Sequence, residues 1–389
     1  MMSRYAALSR DELATLVPEL LLIGQLIDRS GMAWCISSFG REEMLQIAIE
    51  EWAASSPLYT KRMQKALKYE GVDVVTIFKG GLQLDIGAPA AVHGLPLRRA
   101  RPLARGGVLP RPLWRLDGRR ADGRDYVKGM CHDIEDPTFD ATALATNRKT
   151  QVRPIHRPPR ASADQHPHCR WTVIIDESYP EVDFIPAMDI VGASHAYHTE
   201  LDPIDPNDEG NADYSGGPLL SDVDFGAFSH SALVRIADEV CLQMHLLVLS
   251  FSLAVRARTK DDPALERSIR TKQLIGIAGV AAERIHKALK LPGGVKGALR
   301  VLELHPLLNP AAYVYADVDP RLHSRPAVAR FRGRVVDLAG VARGGPAPFR
   351  PSWPRSIRIC APRSPAPNPT GPCVSSRPTP PQRNCPRSR

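Results

Sequence analysis

Two long segments of this 389-residue chain contain no Lys and no Glu, although both are rich in Arg and Pro. Residues 91–124 hold 9 Arg, 4 Pro and 2 Asp, whereas residues 321–389 hold 14 Arg, 14 Pro and a single acid, Asp337. Subtracting their charges of +7 and +13 from the formal net charge of +9 leaves −11 on the other 286 residues. The basic average therefore describes the two segments, and the absence of Lys argues against a natural nucleic-acid-binding arm.

The composition of both segments is typical of a GC-rich gene translated out of frame. Codons exist for residues 92–114 whose one-base shift reads FMDFRYGVHDRWHGAEFYLDHCG, and codons for residues 329–343 whose shift reads AFEDGWWISLASP. Both shifted strings regain acids, aromatics and strand-like runs. We hypothesise that residues 91–124 and 321–389 are out of frame and that the tail is disordered. That the chain as written is a non-functional frameshifted product is an alternative to the functional hypotheses given below.

The remaining sequence lacks several patterns that would assign a location or a chemistry. Its longest apolar run, residues 240–255, contains Gln243 and His245 and is too short and too polar to span a bilayer. No Walker loop, no Gly-x-Ser-x-Gly elbow and no Cys-x-x-Cys pair occurs. The wide cysteine spacing suits reduced thiols. We expect a cytoplasmic protein with a small-molecule substrate, no nucleic-acid partner and no membrane; the sequence does not identify a cofactor.

Hydrophobic periodicity predicts helices over the first ninety residues, one of them beginning at Ser56-Pro57. Beyond residue 125 the pattern predicts a strand over 126–132, a short helix opening at Asp136-Pro137, and an antiparallel pair of strands over 151–156 and 169–175. Three helices follow, over about 225–258, 263–291 and 295–308.

These elements predict an α+β fold that is predominantly helical, with a small antiparallel sheet in the middle, a C-terminal helical bundle and a disordered tail. We expect residues 1–200 to form the helical N-terminal part with the sheet. Residues 201–320 would form the C-terminal helical domain, and residues 321–389 the tail.

The strongest group of chemically capable side chains lies on the predicted strands. Its candidate catalytic members are Cys131, His132, Asp133, His156, His168 and Cys169. Thiolate and imidazole groups can bind zinc, or can act as nucleophile and general base. Structural core thiols and histidines are the alternative.

Two arginines of the connector between the strands, Arg153 and Arg157, are candidate substrate-binding residues. A guanidinium group binds carboxylate or phosphate through two parallel hydrogen bonds. A solvated hairpin loop is the alternative interpretation. One arc of the long helix contains His230, Asp238, Cys241 and His245. The apolar neighbours of Cys241 and His245 favour a packed core stripe.

The order of these motifs resembles a known family. Cys131-His132-Asp133, then the Asp136-Pro137 helix, then a polar connector ending in His168-Cys169-Arg170-Trp171, is similar to the L-2-amino-thiazoline-4-carboxylic acid hydrolase family over about residues 40–177. The resemblance implies an α+β domain and hydrolysis of a small cyclic C–N bond. The family's first Cys-bearing strand appears here only in the shifted frame, as LDHC, and the three C-terminal helices have no counterpart.

Two functional hypotheses follow. In the first, the chain is a hydrolase for a small carboxylate-bearing molecule. Cys131 or Cys169 is the nucleophile or a metal ligand, a histidine (His132, His156 or His168) is the base, and Arg153 or Arg157 orients the carboxylate.

In the second hypothesis the chain is a noncatalytic helical protein that binds an apolar small molecule or a partner. It predicts that Cys131 and Cys169 do not converge. It also predicts an apolar pocket or exposed groove formed by Leu246, Leu249, Phe251, Ile277 and Ile285.

Overall fold

A computed structural model describes residues 2–81, 83–87, 123–159, 162, 169–215 and 223–315, together with the backbone of six short strands outside these ranges. The protein is a predominantly helical α+β fold with a small antiparallel sheet. The helices are α1 (Arg10–Phe39), α2 (Arg41–Ala66), α3 (Val74–Gly81), α4 (Gly123–Lys128), α5 (Glu135–Ala143), α6 (Pro186–Gly192), α7 (His195–His198), α8 (His230–Arg258), α9 (Pro263–Ala288) and α10 (Gly294–Leu304).

Helices α1 and α2 form a long antiparallel pair, since a single residue, Gly40, joins them and the chain reverses direction there. Ser9 and Glu12 form a reciprocal capping box at the start of α1, so two backbone amides that the helix leaves free are satisfied. Gly40 separates the helices at φ 87°, a backbone conformation that favours glycine.

Helix α2 runs through Pro57, so the predicted helix start at Ser56-Pro57 is wrong. Proline removes one backbone hydrogen bond, but this part of α2 is buried and its packing supplies the stability that local propensity lacks. The Thr142 hydroxyl of α5 donates a hydrogen bond to the Ser56 hydroxyl at 2.9 Å, which fixes the two helices together at this point.

Helix α8 lies at the centre of the molecule. Twenty of its 29 residues are buried, and it packs against α1 and α2 on one side and against the Arg4–Ala7 turn and the chain after α10 on another. The three C-terminal helices predicted from the sequence are confirmed as α8, α9 and α10. The main hydrophobic cluster contains side chains from both sides of residue 200, while the predicted division of the chain at that position remains a prediction.

The predicted antiparallel strand pair is confirmed as β5 (Thr150–His156) and β6 (Arg170–Ile175). Its register pairs Val152 with Val173 and shifts between Pro154 and His156. Further short strands are β1 (His93–Gly94), β2 (Leu97–Arg99), β3 (Ala104–Gly106), β4 (Leu109–Pro110), β7 (Val328–Ala329) and β8 (Ile357–Arg358). The sheet order is β2-β3-β6-β5.

Most of residues 91–124 and of the tail 321–389 lie outside the described residues, so the frame hypothesis and the disordered tail stay predictions.

The predicted strand over residues 126–132 is wrong, because this segment is helical. Helix α4 ends at Lys128 and passes directly into a π-helical turn, Gly129–Asp133, which leads into α5. Gly129 lies against Leu45 of α2, where a β-carbon would come within 3.0 Å of the Leu45 side chain. A short apolar run reads alike as a buried strand or as a buried helical turn, and tertiary packing decides between them.

By length and composition, α8 could cross a membrane, and 72% of its most apolar window is buried within the described structure. A core helix of a globular protein meets the same criteria. Length and composition alone therefore do not make α8 a membrane span.

Candidate functional site

The predicted catalytic residues that the structure describes come from the π-helical turn and from the β5–β6 hairpin. Cys131, His132 and Asp133 lie on the π-helical turn, and Cys169 directly precedes β6. His156 ends β5, opposite Arg170 in the ladder. His168 lies outside the described residues.

The thiols of Cys131 and Cys169 both lie in the interior, and Cys169 is close enough to Cys131 to affect the pKa of its thiol. Their residues are only 1% and 2% exposed. Burial raises the pKa of the Cys131 thiol well above its ordinary value, and the nearby Glu135 and Cys169 raise it further. Arg29 and Arg157 partly oppose this effect. At neutral pH Cys131 is a neutral thiol, and it would need a base in contact with it to act as a nucleophile.

Both predicted arginines bind carboxylates of the protein itself. Arg157 donates two hydrogen bonds to Asp136, at 2.5 and 2.9 Å, and its guanidinium lies 5.3 Å from the centre of the Trp171 ring. Arg153 donates to Asp140, which also accepts the backbone amide of Val152. Their charges therefore hold the β5–β6 hairpin on α5.

His132 is fixed and electrically neutral near pH 7. Its Nε2 lies 3.0 Å from the carbonyl oxygen of Pro158, in the connector after β5. Burial and the charge of Arg157 lower its pKa, and these effects outweigh its hydrogen bond and the neighbouring carboxylates. Of the three turn residues, only Asp133 is exposed.

Glu135 is a titratable member of the site that the sequence analysis missed. Its Oε2 is buried and has no hydrogen-bond partner among the described residues. Burial raises the pKa of the Glu135 carboxyl to about 8, although Arg157 and Arg29 lower it. Glu135 follows Cys131 by four residues, so a helical interpretation of this segment would have placed both on one face. The predicted strand over residues 126–132 ended before Glu135, so it did not place the two side chains together.

A cleft of about 410 Å³ lies on the outer side of the turn. It is lined by Glu42, Glu43, Leu45, Gln46, Ile49 and Asp133. Three carboxylates on this lining favour a basic or neutral group over an anion. Asp133 connects the cleft to the turn that carries Cys131.

Within the described ranges, no group of three or more His, Cys, Asp or Glu residues is placed to hold a metal ion. The histidines and the cysteine of α8 serve as packing anchors. The Tyr5 hydroxyl lies 3.2 Å from the Cys241 sulfur, and the Nε2 atoms of His230 and His245 lie 2.8 and 2.7 Å from backbone carbonyls of Leu8 and Asn309. This confirms the core interpretation of that arc.

The five apolar residues of the second hypothesis are all buried in the core. Phe251 approaches Gly31 of α1 so closely that a β-carbon there would meet its ring at 2.7 Å. Leu246, Leu249, Ile277 and Ile285 belong to the main cluster with α1 side chains. An exposed groove at these residues is therefore wrong.

The chain matches no protein-family model, no curated protein and no solved structure. The resemblance to the L-2-amino-thiazoline-4-carboxylic acid hydrolase family thus stays a prediction.

Proposed function

We propose that the protein is a hydrolase that opens a cyclic C–N bond in a small carboxylate-bearing molecule, with Cys131 and Glu135 as its reacting groups. The observation that carries this proposal is a buried thiol, Cys131, near a buried Glu135 carboxyl whose Oε2 has no hydrogen-bond partner among the described residues. The Cys169 thiol and the Arg157 guanidinium are also near enough to affect the pKa of Cys131. A perturbed carboxyl beside a nucleophile is a common feature of catalytic sites, and such groups are rarer in purely structural positions.

The chemistry requires that the nucleophile loses a proton and the leaving nitrogen gains one. In the proposed reaction, ionised Glu135 takes the proton of the Cys131 thiol while the sulfur attacks the ring carbon and the C–N bond breaks. The leaving nitrogen then takes that proton from Glu135. A water molecule next gives one proton to Glu135 and adds its oxygen to the same carbon, and the departing sulfur recovers the proton.

The charges around the site suit the two ends of such a substrate. The acidic cleft favours the basic nitrogen of a cyclic amidine. Arg29 and Arg157, which both lower the pKa of Glu135, supply positive charge for the substrate carboxylate. In the proposed complex, Arg157 gives up one of its two hydrogen bonds to Asp136 and donates it to the substrate carboxylate. We also propose a cytoplasmic location and no nucleic-acid or membrane partner.

The alternative remains a noncatalytic helical protein in which these thiols are structural. The burial of Cys131 and Cys169 favours it, since buried cysteines commonly serve as small hydrophobic residues. It predicts that neither thiol affects any turnover.

A turnover assay separates the two. The full chain is incubated with 2-amino-thiazoline-4-carboxylate, and ring opening is followed by chromatography. We expect turnover in the wild type and in Cys241→Ser, a control at a buried cysteine that packs with Tyr5 in the main hydrophobic cluster. We expect a loss of at least about a hundredfold in Cys131→Ser, as for removal of a nucleophile. Unchanged turnover in a Cys131→Ser/Cys169→Ser protein would rule the proposal out.

A further inference from the structure

The interior between α1 and α2 contains two carboxyl groups with few partners. Asp28 is 5% exposed and Glu51 is completely buried. The Trp52 indole donates to Asp28 Oδ2 at 3.3 Å, but Asp28 Oδ1 and both carboxyl oxygens of Glu51 have no hydrogen-bond partner anywhere in the described part of the chain. Buried ionised carboxylates are stable only when paired and hydrogen-bonded, so this geometry suits the neutral, protonated forms.

The charged and titratable groups around the pair do not compensate an ionised Glu51. From α1, Arg29 lies 3.5 Å from Asp28 Oδ1, and Cys35 faces Glu51. Tyr59 of α2 lies near both carboxyls of the pair, and Asp85, in residues 83–87, lies near Tyr59 as well. From α8, Arg258 approaches Cys35, but it is bound to Glu43 and Glu50. From α5, Glu135 shares Arg29 with the pair.

We infer that Asp28 and Glu51 form a proton-binding pair that makes the packing of α1 on α2 dependent on pH. At acidic pH both carboxyls are neutral and the helices pack as described here. As the pH rises, the unfolded chain releases these protons while the folded chain retains them, so the folded state becomes less favourable. This direction is opposite to that of a protein stabilised by salt-bridged carboxylates.

The pair is connected to the candidate site through Arg29. This guanidinium lies beside Asp28 and also lowers the pKa of Glu135 and of Cys131. When Asp28 is protonated, the charge of Arg29 is available to Glu135; when Asp28 ionises, it competes for Arg29. The inference about the pair does not depend on the proposed hydrolase activity, since it concerns folding.

The pKa values of Asp28 and Glu51 are both raised, which is the direction expected for buried carboxyls with few hydrogen-bond partners. Burial raises the pKa of both carboxyls, and the neighbouring Asp28 raises that of Glu51 further. Arg29 and the Trp52 hydrogen bond act against the shift at Asp28. Above the ordinary pKa of about 4, each carboxyl that stays protonated only in the folded state raises the unfolding constant up to about tenfold per pH unit.

The test is the pH dependence of urea unfolding of the full chain between acidic and mildly alkaline pH. Asp85, Glu135 and Asp238 also have raised pKa values and contribute to the wild-type slope. The decisive quantity is therefore the difference between the wild type and Glu51→Gln, in which an uncharged amide replaces the carboxyl. We expect the variant to lose up to about one tenfold step per pH unit from the slope. Glu283→Gln, at an exposed helix position, should keep the wild-type slope above about pH 6, where the Glu283 carboxyl is ionised in both the folded and the unfolded chain.

An infrared spectrum of the folded wild type at neutral pH provides a second measurement that does not depend on unfolding. We expect a carbonyl band of protonated carboxyl groups that loses intensity in Glu51→Gln, or in Asp28→Asn if the first variant does not fold. An identical slope in the wild type and the folded variant, or an unchanged band, would overturn the inference.

Discussion

The buried ion pairs of Glu239 give the sharpest stability prediction. Glu239, on α8, has a side chain only 2% exposed, and it accepts two hydrogen bonds from Arg62 of α2, at 2.8 and 3.0 Å, and one from Arg235 at 3.1 Å. Charge-assisted bonds contribute about 1.5–3 kcal/mol each, but both guanidiniums keep some contact with water. We therefore expect Glu239→Ala to lower the free energy of unfolding by about 3–5 kcal/mol, the usual cost of removing one partner of a buried pair.

The matched control is Glu283→Ala on α9. Glu283 pairs with Lys287 at 2.5 Å, but both side chains are mostly exposed. Exposed pairs contribute little because water screens their charges, so the control should change stability far less than Glu239→Ala does. Urea unfolding followed by helical circular dichroism measures both variants. Equal effects of the two substitutions would refute the reasoning.

Removal of Glu239 should also loosen a particular segment. Arg62 donates to the carbonyl oxygens of Tyr197 and Thr199, in addition to Glu239. Without Glu239 the Arg62 guanidinium loses two of its hydrogen bonds and is held less firmly against these carbonyl oxygens. We expect faster amide hydrogen exchange in residues 195–202 of Glu239→Ala than of Glu283→Ala, because the first variant weakens the anchor of this segment.

Two further predictions concern packing and pH. Gly24→Ala should destabilise the protein by about 1–3 kcal/mol, because a β-carbon there would clash with the Ile86 side chain. Gly279→Ala, with no described heavy atom within 4 Å of the added β-carbon, should stabilise the helix by up to about 1 kcal/mol. Thermal unfolding measures both variants, and equal shifts in the unfolding temperature would contradict the described packing. If Glu135 is the base, turnover should rise with pH up to its pKa of about 8, because its carboxyl must ionise first. Glu135→Gln should abolish this rise in the pH–rate profile, and an unchanged profile would exclude Glu135 as the base.

The strongly periodic parts of the fold could be predicted from the sequence. The C-terminal helices α8, α9 and α10 have apolar residues at helical spacing over many turns, and β5 and β6 have β-branched runs around a Pro-rich connector. The local pattern is sufficient there because each element buries the face that its own sequence marks as apolar.

The turn carrying Cys131 could not be predicted in the same way. Residues 126–132 are too few for periodicity to separate a strand from a helix, and the choice depends on packing against Leu45, more than eighty residues earlier. The convergence of Cys131 and Cys169 in one site stays a prediction, and Glu135 was missed because its neighbourhood was assigned to the wrong element.

The buried carboxyls gave no sequence signal at all. Asp28 and Glu51 lie within helical sequences that contain many other polar residues, some buried and some exposed, and nothing local distinguishes them. Their burial follows from the contact of α1 with α2 and α8, that is, from tertiary structure. A polar group retained at such a position costs stability, which is why it points to a function.

A double-mutant cycle on Cys131 and Cys169 tests the central claim most directly, namely that the turn and the hairpin bring these thiols into one site. The free energies of unfolding of Cys131→Ala, Cys169→Ala and the double variant are compared with those of a control cycle on Cys131 and Cys241, which is bound to Tyr5 in the main core. The account predicts a coupling energy of at least about 0.5 kcal/mol for the first pair and additivity within about 0.3–0.5 kcal/mol for the control pair. Additive effects in both cycles, from proteins that fold, would contradict it.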